Sequence, residues 1–401
     1  MSNFVTLILV KSMTSRQPVV TIEPSILVWA RESLGLSIAD VATKLDKDAS
    51  VIRGWEAGKD LPSYAQLEEL AYSIYRRPLA VFFLPNPPRE STPQQDFRTL
   101  PEQDISKLSR QLRLFVRRAK HHQLVLRQIH DNKNPVELPV FRTFKIKGVS
   151  SVISSANRLR EYFNISIEFQ KGLEDSNAAL NFYRNTIEKG GVYVFQFPIL
   201  DARGFSLMDD EFPVIVLNSA DTANSKIFTL VHELCHILFN TGGVLIEPYA
   251  TDPNKERNRV EVLCNQFASE VLLPRNALLK DSLVIENEGK EWTEAKLQQL
   301  ASAYKVSKEV VLRKLLDAGR TSQAFYNTLR KKWLEDYQKT KKLKKKGSGG
   351  NYHSTNLSRL GKTYVSDVLT GFHAGKLSEV QVADILGIKI NKIKDYEQRI
   401  F

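Results

Sequence analysis

The segment FTLVHELCHILFN, residues 228–240, constrains this chain more than any other stretch, because its apolar residues recur with the spacing of a buried α-helix. Positions i and i+4 of a helix lie one turn apart on one face, so His232 and His236 can each offer an imidazole nitrogen to one zinc ion. Glu233 lies beside them as a candidate general base that activates water. The same pattern also arises by chance in apolar core helices, so its surroundings must distinguish the two interpretations.

A zinc site of this kind needs a third ligand, and the candidate source is RVEVLCNQFASEVLLP, residues 259–274. Helical spacing places four residues on one face, Glu261, Asn265, Ala268 and Leu272, so a carboxylate can be presented to the same metal. Glu270 is the rival carboxylate, but it falls on the opposite side of this helix.

The histidine motif lies in a stretch that mixes helices and strands. Helices are expected at 155–190, around 226–240 and around 257–272, and strands at 190–197 and 212–218. The second of these strands, FPVIVLN, is placed to run along a bound substrate peptide.

Length and composition describe an ordinary globular protein with room for two or three domains: 401 residues, 42% hydrophobic and 9% aromatic. No apolar run reaches the roughly 18 residues of a membrane-spanning helix, and FVTLILV, residues 4–10, is too short for a signal peptide. The two cysteines, Cys235 and Cys264, cannot form a disulfide framework, which favours a reducing compartment. A cytoplasmic protein without membrane association is therefore expected.

The net charge of +12 is distributed unevenly. Residues 321–346 alone hold nine basic and two acidic side chains, so more than half of the excess is local. This run, which ends in KKLKKKGSGG, is typical of a solvated linker, with affinity for nucleic acid as the alternative.

The amino-terminal stretch SIADVATKLDKDASVIRGWEAGKDLPSYAQLEELAYSIYRRPLAVFFLP, residues 37–85, resembles the five-helix Cro/repressor (XRE) type of helix-turn-helix. Residues of this sequence at that family's core and turn positions are Ala42, Ile52, Trp55, Glu56, Gly58, Pro62, Leu67, Leu70 and Ala71. The resemblance implies that Asp48 caps a recognition helix whose first turn enters the major groove of an operator in double-stranded DNA.

The same resemblance implies a set of DNA contacts: Ala49, Ser50 and Arg53 to bases, and Lys47 and Lys59 to phosphates. Two features leave room for another role. The family often has a long amide where this chain has Ala49, and Gly54 weakens a helix interior by roughly 1 kcal/mol relative to alanine. The alternative is a module that serves dimerisation or partner binding.

The string HELCH, residues 232–236, followed about 25 residues later by ExxxNxFAxxxLLP, resembles the ImmA/IrrE family of bacterial zinc metallopeptidases. The resemblance implies that His232, His236 and Glu261 bind Zn²⁺, that Glu233 is the general base, and that the domain has a gluzincin-like core. The residue that stabilises the oxyanion cannot be chosen among Asn218, Tyr249 and Asn265.

This chain departs from that family at its two cysteines. The family usually has glycine at the position of Cys235 and alanine at that of Cys264, small residues that let the two metal-bearing helices pack closely. One interpretation is that both cysteines are buried small hydrophobic residues. The other is that thiols near the zinc make the site sensitive to oxidants or thiophilic metals.

The expected fold is multidomain and mainly α with an α+β middle. Its parts are a disordered lead-in (1–20), a helix-turn-helix domain (21–88), a connector helix (89–135), a metallopeptidase domain (136–280), a helical subdomain (281–335), a basic linker (336–356) and a carboxy-terminal helical extension (357–401). The whole stretch from about 22 to 400 resembles regulators in which these parts are fused.

The expected function is that of a DNA-binding regulator, with a homodimer as one possible form, whose zinc endopeptidase cleaves a protein such as a repressor or its own chain. An antitoxin-like protein that binds and neutralises a nuclease toxin with little or no proteolysis is the main alternative. A repressor with a degenerate peptidase domain that senses zinc or a peptide is a third, which the intact motif disfavours.

Overall fold

The computed structural model describes residues 22–90, 108–144, 146, 152–240, 243–245, 256–343 and 352–400. They form two compact units, one from residues 22–90 and 108–114 and the other from Phe115 onward. The expected lead-in, residues 1–20, lies outside the described residues, as do residues 344–351 of the expected basic linker.

The first unit is built from short helices with well-defined starts. They are α1 (Pro24–Ser33), α2 (Ile38–Leu45), α3 (Ala49–Glu56), α4 (Tyr64–Glu68), a π-helix that continues α4 (Glu69–Tyr75), and a 3-10 helix (Leu79–Phe83). Ser37 and Ser63 begin α2 and α4 with capping boxes, and Asp48 caps α3 by accepting a hydrogen bond from the Ser50 amide at 2.7 Å. Asp46 ends α2 in the left-handed region, with φ 52°, and so turns the chain into α3.

The core of this unit forms where the helices meet. Its fully buried side chains include Ile26, Ala30, Val41, Ile52, Leu67, Leu70, Ala71 and Phe82. The expected five-helix arrangement and the cap at Asp48 are thus present.

The second unit is mainly helical. Helix α5 (Arg110–Ile129) contributes residues to both units. The helices that follow it are α6 (Val140–Thr143), α7 (Val152–Tyr162), α8 (Ile167–Gly172), α9 (Ser176–Lys189), α10 (Ala223–Leu238), α11 (Glu256–Leu272), α12 (Arg275–Leu279), α13 (Ser282–Glu286), α14 (Glu294–Tyr304), α15 (Lys308–Asp317), α16 (Gln323–Leu343), α17 (Tyr352–Leu360), α18 (Lys362–His373), α19 (Glu379–Leu386), a 3-10 helix (Ile390–Lys392) and α20 (Ile393–Ile400).

Four short strands form one mixed sheet in the order β1-β3-β2-β4. Their bounds are β1 (Tyr193–Phe197), β2 (Gly204–Leu207), β3 (Val214–Asn218) and β4 (Gly243–Leu245). Strand β3 is parallel to β1, with Tyr193 opposite Val214, and β2 is antiparallel to both β3 and β4. Both edges of β3 are therefore occupied, so the expectation that FPVIVLN runs along a substrate is wrong.

Helices cover both faces of β1, so all of its residues are buried. On one face, Val194 lies in the large core that α9, α10 and α11 share. On the other face, Phe195 stacks against His122 of α5 at 4.7 Å and meets the edge of Tyr364 of α18 at 5.0 Å. Gln196 also donates to the Ser358 carbonyl of α17 at 3.1 Å, so the last helices belong to the packing of the sheet.

The architecture confirms the expected fold class, mainly α with an α+β middle. In the part of the chain that the structure describes, no helix has both the length and the apolar character needed to cross a membrane.

Candidate metal centre and DNA-binding helix

Helix α10 carries the histidine motif and is an interior element: every residue from Ile227 to Leu238 is buried. His232, Glu233 and His236 are each 0% exposed. Because burying polar side chains in an apolar interior is costly, their partners decide what the motif can do.

Helix α11 packs against α10 and brings Glu261 to the two histidines. The Nε2 atoms of His232 and His236 lie 3.2 Å apart, and the Glu261 carboxylate is 3.3 Å from the first and 3.4 Å from the second. Ligand atoms arranged tetrahedrally at zinc distances stand about 3.3 Å from one another. The donor set and its spacing therefore fit a three-ligand zinc site, and these residues can hold a metal ion.

The charge of Glu261 suits a cation. Burial by itself raises the pKa of this carboxyl, but His236 and His232 outweigh it and hold the pKa well below its usual range. Glu261 is therefore ionised, which is the form that ligates a metal. Across the described ranges, this is the one set of three or more His, Cys, Asp or Glu ligand atoms close enough to share an ion.

Glu233 is held from the neighbouring strand. The Ser206 hydroxyl of β2 donates to Oε2 of Glu233 at 2.6 Å, whereas Oε1 has no hydrogen-bond partner among the residues described. Burial raises the pKa of the Glu233 carboxyl, and His236, His232 and Ser206 oppose that rise. Ser206 could not be recognised from the sequence, since the four-residue strand around it gives too short a pattern.

Glu270 does not join the cluster. Its carboxylate pairs with Lys314 of α15 in the buried interior and accepts a hydrogen bond from the Arg275 amide at 3.1 Å. It therefore joins the end of α11 to a later helix, and the structure brings Glu261, not Glu270, to the histidines.

The three oxyanion candidates have different surroundings. Asn218 ends β3. Its side-chain Nδ2 donates to the Ala202 carbonyl at 3.1 Å, and its Oδ1 accepts from the Ala220 backbone amide at 3.0 Å. These bonds give Asn218 a structural role in the loop. Asn265 is buried one turn after Glu261, and its Oδ1 has no partner among the described residues. Tyr249 lies outside the described residues.

The two cysteines occupy the contact between α10 and α11. Both are fully buried, and the Cys264 thiol lies beside Cys235 and His236. Burial and the neighbouring Cys235 raise the pKa of the Cys264 thiol well above its ordinary value, so this thiol is protonated. Such packing agrees with small buried hydrophobic residues, whereas the sensitivity to oxidants remains a prediction.

In the first unit, the polar residues singled out for DNA binding are accessible. Lys47, Ser50, Arg53 and Lys59 are exposed at or near the ends of α3. Ala49 is half-buried and packs against the core, so it offers less surface to a base than the other four residues.

Gly54 has a packing reason to be glycine. A Cβ at this position would stand 3.2 Å from Oδ2 of Asp60, in the loop after α3. The backbone amides of Lys59 and Asp60 also donate to the Gly54 carbonyl, at 3.0 and 3.4 Å, so the loop folds back tightly on the helix. A larger side chain at this position would therefore have to displace the Asp60 carboxylate.

Comparison with known families agrees with both parts of the geometry. Residues 187–316 match the peptidase family model described as IrrE N-terminal-like domain, and residues 27–71 match the helix-turn-helix model. The first match contains the whole metal-ligand cluster and the second contains α2 and α3. A search of curated proteins finds no match to this chain. The resemblance expected from the motifs is confirmed: an IrrE/ImmA-like peptidase domain follows an XRE-type helix-turn-helix domain.

Proposed function

We propose that this chain is a DNA-binding transcriptional regulator whose second unit is a zinc-dependent endopeptidase. The observation that carries the proposal is the cluster of His232, His236 and Glu261 with Glu233 beside it, all in an apolar interior. Natural chains rarely bury four such side chains together without a function for them. The two family matches support the same combination of activities.

His232, His236 and Glu261 are the residues that hold the zinc ion. Zinc at this position supplies a Lewis acid that polarises the scissile carbonyl and makes water more acidic. Glu233 takes the proton of the attacking water and passes it to the leaving amine. Its Oε1 is available for this task, because only Oε2 is engaged by Ser206.

An extended protein segment is the substrate class that the sheet favours. Among the described strands, β1 and β4 are the edges, and α17 packs against β1. Strand β4 pairs with β2 on one side and packs against the zinc-site helix α10. Its other edge offers main-chain groups to which a peptide can add as a further strand. The cleaved protein is a repressor or the regulator's own chain, in the cytoplasm.

The DNA-binding function rests on the first unit. The exposed side chains of Ser50 and Arg53 contact base edges in the major groove, and Lys47 and Lys59 contact phosphates. A homodimer presents two such helices to the half-sites of an operator. Proteolysis by the second unit then changes transcription.

The test is a cleavage assay with the purified, zinc-loaded full-length protein and the product of the neighbouring gene. Each chain is followed by mass spectrometry in three proteins: the wild type, Glu233→Gln, and the control Glu286→Gln, which changes an exposed acid. Cleavage that requires zinc and Glu233, and that survives in the control, supports the proposal.

Two outcomes contradict it. A stable complex with the neighbour that forms without cleavage, and equally well in Glu233→Gln, indicates the antitoxin-like role. Cleavage that persists in Glu233→Gln at the wild-type rate shows that the site has been misassigned.

A further inference from the structure

We propose that Ser206 is the positioning residue of the site, which holds the Glu233 carboxylate so that one oxygen faces the reaction. The inference rests on the proposed function, because it assigns a role to a residue that acts through the general base. Ser206 belongs to neither of the motifs from which the site was recognised.

The hydrogen bond between Ser206 and Glu233 is short and shielded from solvent. The Ser206 hydroxyl lies 2.6 Å from Oε2 of Glu233, and both residues are 0% exposed. A hydroxyl that donates to a carboxylate makes a charge-assisted hydrogen bond, which is stronger than one between neutral groups. Away from water, no solvent molecule replaces this bond when it is lost.

Ser206 is itself held in place by the sheet. It pairs with Ile215 of β3 on one side and with Gly243 of β4 on the other. Its neighbours Phe205 and Leu207 are buried and direct their side chains to the opposite face of the strand. A donor on a strand that is paired along both edges is more rigid than one on a loop, which is what a catalytic geometry needs.

The hydrogen bond gives the two carboxylate oxygens of Glu233 different roles. Oε2 is engaged by Ser206, and Oε1 has no partner in the described part of the chain. When Oε1 takes the proton, Oε2 is still a hydrogen-bond acceptor, so the same Ser206 hydroxyl supports Glu233 before and after the proton transfer. Without this hydroxyl, the carboxylate can turn away from its working position while the zinc ligands remain in place.

The test measures binding of acetohydroxamic acid to the zinc-loaded full-length protein by calorimetry, so it does not depend on a known protein substrate. A hydroxamic acid binds zinc as its anion, and a well-placed neighbouring base takes up the proton. Four proteins form a double-mutant cycle: the wild type, Ser206→Ala, Glu233→Ala and the double variant. Zinc content and thermal unfolding are measured for each, so that loss of the metal or of the fold is recognised directly.

We expect Ser206→Ala to weaken hydroxamate binding about tenfold, with unchanged zinc content. In the Glu233→Ala background the same change should have almost no effect, because Ser206 acts through Glu233. Ser206→Thr keeps the hydroxyl and should restore most of the affinity. The matched control is Thr229→Val, which removes another fully buried hydroxyl that is bonded to the Ser225 carbonyl at 2.9 Å. It should bind hydroxamate like the wild type.

Two other results would contradict the role of Ser206, and both can be distinguished from failure of the proposed function. If Ser206→Ala binds hydroxamate as tightly as the wild type, or loses as much affinity without Glu233 as with it, Ser206 does not position Glu233 although the zinc site stands. If the wild type binds neither zinc nor hydroxamate, the proposed function fails, and the positioning role fails with it.

Discussion

Arg31 of α1 donates two hydrogen bonds to the Glu56 carboxylate at the end of α3, from Nε at 2.7 Å and from Nη2 at 2.9 Å. The two side chains are 12% and 8% exposed, so this bidentate pair is largely shielded from water. Arg31 also donates to the Leu36 carbonyl at 3.0 Å. A single side chain therefore fixes the helix that carries the expected DNA contacts against α1 and the loop before α2.

Replacing Glu56 with alanine should destabilise the first unit by about 1–3 kcal/mol, because it removes the bidentate carboxylate from a largely shielded guanidinium. Hydrogen exchange of residues 22–90 in the full-length protein measures the effect. The matched control is Glu32→Gln, since Glu32 contacts the same arginine at 3.4 Å but is 64% exposed. It should change exchange little. Equal effects of the two variants would show that the Arg31–Glu56 pair contributes nothing beyond a surface contact.

The two carboxylates of α11 should separate metal binding from stability. The wild type should hold about one zinc ion per chain. Glu261→Ala should lose most of it and give up the rest readily to a chelator. Glu270→Ala should keep the metal but unfold at a lower temperature, because it leaves Lys314 buried without its partner. Metal analysis and thermal unfolding, with and without zinc, test both statements. The assignment of Glu261 as the third ligand is falsified if Glu270→Ala loses the zinc and Glu261→Ala retains it.

Arg53→Ala should weaken binding to the promoter of this protein's own gene by about tenfold or more, with a smaller effect on unrelated DNA, because Arg53 is expected to read bases. Lys59→Ala should weaken binding to both DNAs alike. It should also reduce the slope of the logarithm of the binding constant against the logarithm of the salt concentration by about one. Binding curves at several salt concentrations distinguish the two patterns. If Arg53→Ala weakened binding to the promoter and to unrelated DNA equally, Arg53 would contact phosphates and not bases.

The second unit should lose stability as the pH falls below the ordinary histidine pKa of 6.5. Burial, with Arg118 and His121 nearby, holds the pKa of the His122 imidazole well below that value. Below this pH the imidazole is therefore protonated in the unfolded chain but neutral in the folded chain. His122 thus contributes to the free energy of unfolding a dependence on pH of at most about 1.4 kcal/mol per pH unit. From about one pH unit above 6.5 the unfolded imidazole is neutral as well, and the contribution of His122 is constant.

Unfolding measured between about pH 5 and 8 tests the statement with two variants. His122→Asn should reduce the slope, leaving a remainder from His121, whose burial also lowers its pKa. Tyr364→Phe removes the 2.7 Å hydrogen bond to His122 but keeps the imidazole buried, so it should lower stability without flattening the slope. An unchanged slope in His122→Asn would mean that this histidine is not the titrating group.

Local patterns in the sequence were enough to predict α10 and α11 and to place Glu261 and Glu270 on opposite sides of α11, because helical spacing determines which residues share a face. The choice of Glu261 as the third ligand came from the resemblance to the ImmA/IrrE family. The hydrogen-bond and ion-pair partners of Glu233 and Glu270 could not be predicted from local patterns. Ser206 lies 27 residues before Glu233, and Lys314 lies 44 residues after Glu270, so only the tertiary fold brings them together. Strand β2 also holds just four residues, too few for a clear alternation to stand out.

The packing of the last helices on β1 sets an order of events during synthesis. The amino-terminal unit uses residues up to 114, so it can fold while the ribosome is still translating the rest of the chain. The sheet of the second unit gains its full cover only later, because Phe195 of β1 packs against Tyr364 and the Gln196 side chain donates to the Ser358 carbonyl. A nascent chain can thus hold a folded helix-turn-helix unit before its peptidase-like unit is complete, and a message truncated before codon 352 would encode the first unit without the helices that cover β1.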